Sequence, residues 1–452
     1  MDRLFVGVGS GFGRDRIDAA IPVVRQLAQC DGPRFLIYET LAERTLAIAQ
    51  LRKAKDPDSG YAQNLKQLLA PVLQSCLQNG IRIIGNFGAA NPHAAAGIIK
   101  SLAQDLGVRI PKIAVVEGDD LTGLLDAAAL REREMGDNLL STEAELISAN
   151  AYLGAFPIAQ ALDAGAEIVI TGRVADPSLT VGPFIHCFGT RPDDWDSLAA
   201  ATLAGHLLEC GAQVSGGYFA DPGKKDVPGL DRVGYPIAEI SRSGDCIISK
   251  PDNTGGVINL RTVKEQLLYE IQNPAAYLTP DVVLDITQVE AQQLGENRVK
   301  ISGAKGWPKP PHLKATVCVK GGYLAEGEIS YAGINAASRA RLAASVIRTR
   351  MEDRHGDVEL RVDFIGIRSV FGSTYDRDNS AIDNHLGRDV RVRFALCSHS
   401  RDVAQCLLDE VEALYCAGPA GGAGVRTHLT ERLASTSCAI ERSHIRPAIA
   451  YV

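Results

Sequence analysis

Short apolar runs and longer amphipathic stretches alternate along the first half of the chain. "RLFVGVG" from Arg3, "RFLIYE" from Arg34, "IRIIGNFG" from Ile81, "KIAVVEG" from Lys112 and "EIVITGR" from Glu167 are β-branched and lack two-residue alternation. Strands covered on both faces read this way. Between them, apolar positions recur at helical spacing over 15–29, 62–78, 92–106 and 143–164. Strand then helix, repeated, predicts a parallel sheet with right-handed crossovers. Ligands of such sheets collect beyond the carboxyl ends of the strands, so the loops that follow the strands are where chemistry is sought.

From about Gly244 the texture changes. Residues 282–306 predict two strands about a turn at Gly295, Glu296 and Asn297, and residues 312–333 repeat that pattern about Gly321 and Gly322. A helix over 336–352 follows, then a strand (359–367), a polar loop, a strand (389–397), a helix (401–416) and the glycine-rich "AGPAGGAGV". The expected class is α/β. A Rossmann-like, mostly parallel sheet domain spans 1–243, a β-rich extension closing on a helix spans 244–356, and a small α+β unit spans 357–452.

Composition narrows the setting. The chain has 452 residues, 46% of them apolar, enough to bury a large core. A formal charge of -7 argues against nucleic acid as a partner, since that needs a concentrated basic face. No apolar stretch approaches the roughly 20 residues that span a bilayer. An apolar strand begins at once, without a basic leader. None of the ten cysteines forms a CxxC pair, so reduced thiols and a cytoplasmic location are expected, with assembly as a homo-oligomer.

Candidate chemistry gathers at the strand ends. After the first strand, "GVGSGFGRDR" offers Gly9, Ser10 and Gly11 as an anion- or substrate-binding loop. Its glycine spacing does not match the dinucleotide fingerprint, because the third glycine position falls on Phe12 or Arg14. Glu39 and Glu43 lie four apart; Arg44 beside them offers an ion pair. Asn86 ends the third strand, and Asn91-Pro92 reads as a helix cap with His93 in the first turn. "VVEGDDL" then brings Glu117, Asp119 and Asp120 to the same sheet edge. One acid, Asp119 or Asp120, is expected to cap a helix starting near Leu121. Crowded carboxylates otherwise share a proton or hold a cation, and Mg²⁺ suits an all-oxygen site at Asp119 and Asp120.

Further along, Arg173 is the expected anchor for a carboxylate or phosphate, with Asp176 nearby as a structural partner or a substrate contact. His206, Glu209 and Cys210 share a helix face, with Glu209 as acid/base and Cys210 as an alternative nucleophile. Lys250 with Thr254 and Gly255 resembles a phosphate- or thioester-carrier loop, while Thr262 and Glu265 fit a capping box.

The set "GSGFGRDRIDAA", "YETLAERTLA", "GNFGAANPHAAA", "VVEGDD", "NAYLGAFPIAQALDAGAEIVITGRVADPSL", "LAGHLLECGAQVSGGYF", "TGGVINLRTVKEQLLYEIQNPAAYLTPDV" and "GPAGGAGVR" resembles the acyclic terpene utilisation family, AtuA-like, over nearly the whole chain and in the same order. The C-terminal part is similar to a small ferredoxin-fold companion unit. The resemblance implies bacterial catabolism of branched acyclic acids handled as coenzyme A thioesters. Phe87 departs from the family's asparagine, alanine, glycine, glycine pattern and is expected to narrow the pocket beside Asn86.

Together these features predict a catabolic enzyme acting on a branched carboxylate or acyl-CoA thioester. Lyase or hydratase chemistry is expected, with Glu117, Asp119, Asp120 and Glu209 as proton-transfer groups. Gly9, Ser10, Gly11, Glu39, Asn86, Arg173, Asp176, Lys250, Thr254 and Gly255 are the expected substrate contacts. Coenzyme A would enter as part of the substrate. A hydrolase or thioesterase, and a non-catalytic subunit of a catabolic complex, are the alternatives.

Overall fold

Each apolar run of the first half is a strand: β1 (Arg3–Gly11), β2 (Arg34–Glu39), β3 (Ile81–Gly85), β4 (Ile113–Glu117) and, after an unexpected β5 (Leu146–Ala151), β6 (Ile168–Thr171). They pair in parallel in the order β1-β2-β3-β6-β4. Ile113, Ala114, Val115 and Val116 are fully buried, which is why β4 has no polar alternation. The structure, a computed structural model, describes residues 2–136, 139–140, 145–366 and 389–452. The polar loop expected before residue 389, and the expected element ends at Glu143 and Ile367, lie outside the described residues.

Later strands extend this parallel centre. They are β7 (Ile237–Ser241), β8 (Cys246–Ser249), β9 (Tyr277–Leu278), β10 (Val283–Asp285), β11 (Glu290–Gly295), β12 (Arg298–Ser302), β13 (Lys305–Trp307), β14 (His312–Ala332), β15 (Leu360–Ile365), β16 (Asp389–Ser398), β17 (Ala423–Glu441) and β18 (Ala448–Tyr451). The order β11-β12-β8-β7 continues antiparallel beyond β1, and β18 runs antiparallel to β4, giving a mixed ten-stranded sheet. A small antiparallel sheet, β13-β10-β9, lies outside it. The fold is mixed α/β. Among the described residues no helix is long and apolar enough to cross a membrane.

The chain divides into two compact units, Met1–Cys318 with Ser435–Val452, and Val319–Ala434. In the second, β16 pairs antiparallel with β15 and with the Tyr323–Ala332 part of β14. Helices Ala336–His355 and Arg401–Ala417 share a core with these strands around Ile329, Ile347, Phe394, Leu407 and Val411. Alanines at 336, 337, 340, 343 and 344 are the buried face of the first helix, and their small size suits close approach to its neighbours.

Several expected elements take another form. The segment 62–78 holds two short helices, Leu65–Leu69 and Leu73–Gln78, because Pro71 between them cannot continue a helix. The expected helix over 143–164 is β5 followed by Phe156–Asp163, with Pro157 confined to the first turn. The expected helix over 15–29 begins only at Ala20, since the Asp15 carboxylate bonds the Gly11 and Arg16 amides instead. The reversal expected at Gly321 and Gly322 is absent. β14 runs straight through, with Gly322 at a φ of 79°. The turn at Gly295–Asn297 and the helix Pro92–Asp105, capped by Asn91, fall where expected.

Candidate functional site

Beyond the tips of β2, β3 and β6 lies a buried knot of charge. Asn86, fully buried, holds it together: its Oδ1 accepts from Thr40 N (2.7 Å) and Thr40 Oγ1 (3.2 Å). Its Nδ2 donates to Glu39 Oε1 (2.9 Å), which also accepts from Leu41 N (2.8 Å). Burial, then the nearby Asp176, pushes the Glu39 carboxyl up to about 8, against the pull of Arg173. Near neutral pH Glu39 therefore carries a proton.

Arg173 is 1% exposed. Its guanidinium donates to Leu41 O (2.5 Å), to Val174 O (2.6 and 2.9 Å) and to Asp176, and lies 4.5 Å from the Tyr152 ring centre. Burial works against its charge, but Asp176, Tyr152, Glu39 and Glu43 more than restore it. The side chain expected to clamp a ligand is thus a structural cation with its donors already engaged. Asp176, one side of which stays open, is raised by burial despite the guanidinium.

The three acids of "VVEGDDL" do not converge. Asp119 is buried, and one of its oxygens accepts from Arg173 N (2.9 Å) and Asn150 Nδ2 (2.9 Å); burial pushes it up to about 6. Asp120 accepts from Thr122 N (2.9 Å) and Gln50 Nε2 (3.2 Å), closing a local turn. Glu117 is half exposed and sits 3.1 Å from His93. No helix starts at Leu121; Asp126 instead caps Ala127–Arg131 through Ala129 N (2.8 Å). The expected cap therefore moves one turn onward. Among the described residues no three His, Cys, Asp or Glu side chains are placed to hold a metal ion.

The glycine loop is spent on packing. A Cβ at Gly9 would stand 2.5 Å from the Tyr38 ring, and one at Gly11 would stand 2.2 Å from Gly211 N. Ser10 Oγ donates to Phe12 O (2.8 Å), and Gly11 N to Asp15 Oδ2 (2.9 Å), so neither is offered to an anion. Lys250 Nζ reaches Thr254 O (2.9 Å), and Gly255 N bonds Arg232 O (2.9 Å), in a self-contained loop away from the knot. The capping box is Asn259 with Thr262, while Glu265 pairs with Lys225. Helix Leu260–Leu268 starts earlier than expected because Asn259 accepts from both Arg261 N and Thr262 N. Phe87 packs edge-on to Tyr38, centroids 6.0 Å apart, rather than narrowing a pocket.

An open pocket of about 490 Å³ does adjoin the knot, in the size range of ligand sites. Asp176, Glu43 and Glu270 line it together with Tyr152, Tyr277 and Lys314. Burial pushes Glu43 up, but the Tyr152 hydroxyl (2.5 Å), Lys314 (3.5 Å) and the other local bonds more than offset it, leaving it low. The Tyr152 phenol is raised, mainly by burial, and keeps its proton. Leu278, Pro280, Pro310, Pro311 and Leu313 supply an apolar wall.

Behind Tyr277, His206 Nδ1 meets Glu209 Oε1 (3.0 Å), and the buried Glu209 Oε2 has no partner among the described residues. Burial raises Glu209, while His206 pulls it down. The Cys210 thiol is pushed well up by burial and by Glu209, the reverse of an activated nucleophile. Sequence reasoning missed Tyr152, Tyr277, Glu270 and Lys314. No local pattern in the sequence marks any of the four; Glu270 adopts a left-handed backbone, φ 60°, that only the folded chain reveals.

Comparison with protein-family models matches residues 4–451 to the acyclic terpene utilisation family protein AtuA. No curated protein and no solved structure matches.

Proposed function

The chain belongs to the AtuA family of acyclic terpene utilisation proteins, and on that footing we propose that it is a catabolic enzyme acting on a branched carboxylate or its coenzyme A thioester, as a lyase or hydratase. One observation carries the reading: a single pocket is lined both by carboxyl groups with a cation and by a run of apolar side chains. A branched acyl chain lies against Leu278, Pro280 and Leu313, and its carbonyl end turns to the polar groups.

Asp176 is the proton-transfer group. It faces the pocket, and its raised affinity for a proton moves it toward the range where a general base works near neutral pH. It takes a proton from water as the oxygen adds to the β carbon of the conjugated double bond and returns that proton to the α carbon; in the reverse elimination it takes the α proton and gives it to the departing β oxygen, which leaves as water. Lys314, at the rim, faces the negative charge that develops on the carbonyl oxygen. Arg173 and Glu43 set the charge state of Asp176 from opposite directions, the guanidinium favouring its carboxylate form and the neighbouring acid opposing it.

The test is hydration of a branched, α,β-unsaturated C10 acyl-CoA, followed by loss of the conjugated thioester absorbance. Asp176→Asn is expected to lower the rate by about 10²–10⁴-fold, the usual share of a positioned base. Undiminished turnover in that variant sinks the assignment.

A further inference from the structure

A second pocket, about 840 Å³, opens beyond the tips of β1 and β2 and shares Thr40 and Leu41 with the segment that covers the knot. Its charged lining is Arg14, Arg44, Arg52 and one acid, Asp15. Asp15 is already engaged by Gly11 N (2.9 Å), Arg16 N (2.8 Å) and the Tyr235 hydroxyl. Arg14, Arg44 and Arg52 have no hydrogen-bond or ion-pair partner among the described residues. Arg44 does not pair with Glu43, which is held by Tyr152 and Lys314 instead.

Arg44 and Arg52 sit eight residues apart on the helix Glu43–Lys55, on one face, and Arg14 comes from the loop after β1. Phe12, 60% exposed, and Tyr61 add aromatic faces to the same wall, and Asn64 adds an amide. Unpartnered guanidinium groups suit phosphate oxygens, which they bind through two donors at once. Aromatic faces beside them suit a stacked base. One phosphate needs no more than one or two of these cations.

We propose that this pocket binds the nucleoside diphosphate part of a ligand, with Arg14, Arg44 and Arg52 on the phosphates and Phe12 and Tyr61 against the base. Free nucleotides, coenzyme A and nicotinamide dinucleotides all carry that chemistry. The site stands apart from the acid-lined pocket, and its test reads binding rather than turnover.

The experiment is calorimetric titration of the full chain at low ionic strength with ADP, coenzyme A, NADH and inorganic pyrophosphate. Saturable binding of at least one of the three nucleotides, tighter than pyrophosphate by tenfold or more, is expected. Binding by coenzyme A alone assigns the site to a thioester carrier; ADP binding as well as the larger ligands assigns it to nucleotides at large; NADH alone assigns it to a redox cofactor. The double variant Arg44→Ala, Arg52→Ala should weaken binding at least tenfold and keep the wild-type melting curve, since neither side chain has a partner among the described residues to lose. Phe12→Ala should weaken nucleotides but not pyrophosphate. The proposal is overturned if none of the nucleotides saturates, if pyrophosphate binds as tightly as they do, or if the double variant binds undiminished.

Discussion

Two sets of arginines meet the same short segment, Thr40 and Leu41, and do opposite things. Arg173 is enclosed, with its donors given to Leu41 O, Val174 O and Asp176 and a ring beneath it. Arg14, Arg44 and Arg52 line an open cavity and pair with no acid among the described residues. The sequence points to Arg173 as the anion anchor and to Arg44 as an ion-pair partner of Glu43, and the fold reverses both. The difference teaches that a cation's availability, rather than its place at a strand end, decides whether it can bind a ligand. A guanidinium that has been desolvated must be paired within the protein, because an unpaired buried charge is far too costly.

Four changes test this contrast. Arg173→Ala is the most disruptive: it leaves Asp176 and Glu39 crowded without a countercharge and should cost about 3–5 kcal/mol, read as a lowered urea midpoint. A midpoint equal to wild type would mean that the knot is not held by Arg173.

The next effect is pH dependence. Glu39 keeps its proton to about 8 in the folded chain against 4.5 ordinarily, and Asp119 to about 6 against 3.8. At these two groups the folded state binds protons more tightly, so their contribution to stability is fullest below pH 4 and is lost as pH rises toward 8. Glu39→Gln should flatten the part of that decline between pH 6 and pH 8 in denaturant titrations. A decline of unchanged slope there would place the titrating group elsewhere.

Tyr152→Phe removes the hydroxyl that Glu43 accepts from and should cost about 1–3 kcal/mol, with Glu43 titrating at higher pH by NMR. The smallest effect is reserved for the open pocket: Arg44→Ala should change the unfolding free energy by less than about 0.5 kcal/mol. A large loss there would erase the contrast with Arg173.

Much of the frame was legible along the chain. The five uninterrupted β-branched runs could only be strands covered on both faces, and each is one. Asn91-Pro92 and the Gly295–Asn297 turn carry their own local instructions. Elements that depend on distant pairing were not legible: β5, the unbroken β14 and the closing strand β18 exist because partners far along the chain accept their hydrogen bonds. The site divides in the same way. Glu39, Asn86, Asp119, Arg173, Asp176 and Glu209 stand out as polar residues in apolar surroundings, yet their pairings do not. Tyr152 and Tyr277 lie in stretches that carry the family resemblance but no chemical spacing of their own, and Lys314 comes from a strand with no motif.

By itself, then, the order of residues determined which segments become strands, which residues carry charge to their tips, and which family the chain belongs to. Those follow from local sterics and from the period of apolar positions, which act over a few residues. Only the folded arrangement decided which of those charges neutralise one another and which face open space. Desolvation and ion pairing depend on every neighbour within a few ångströms, and the chain brings those neighbours together from more than a hundred residues apart.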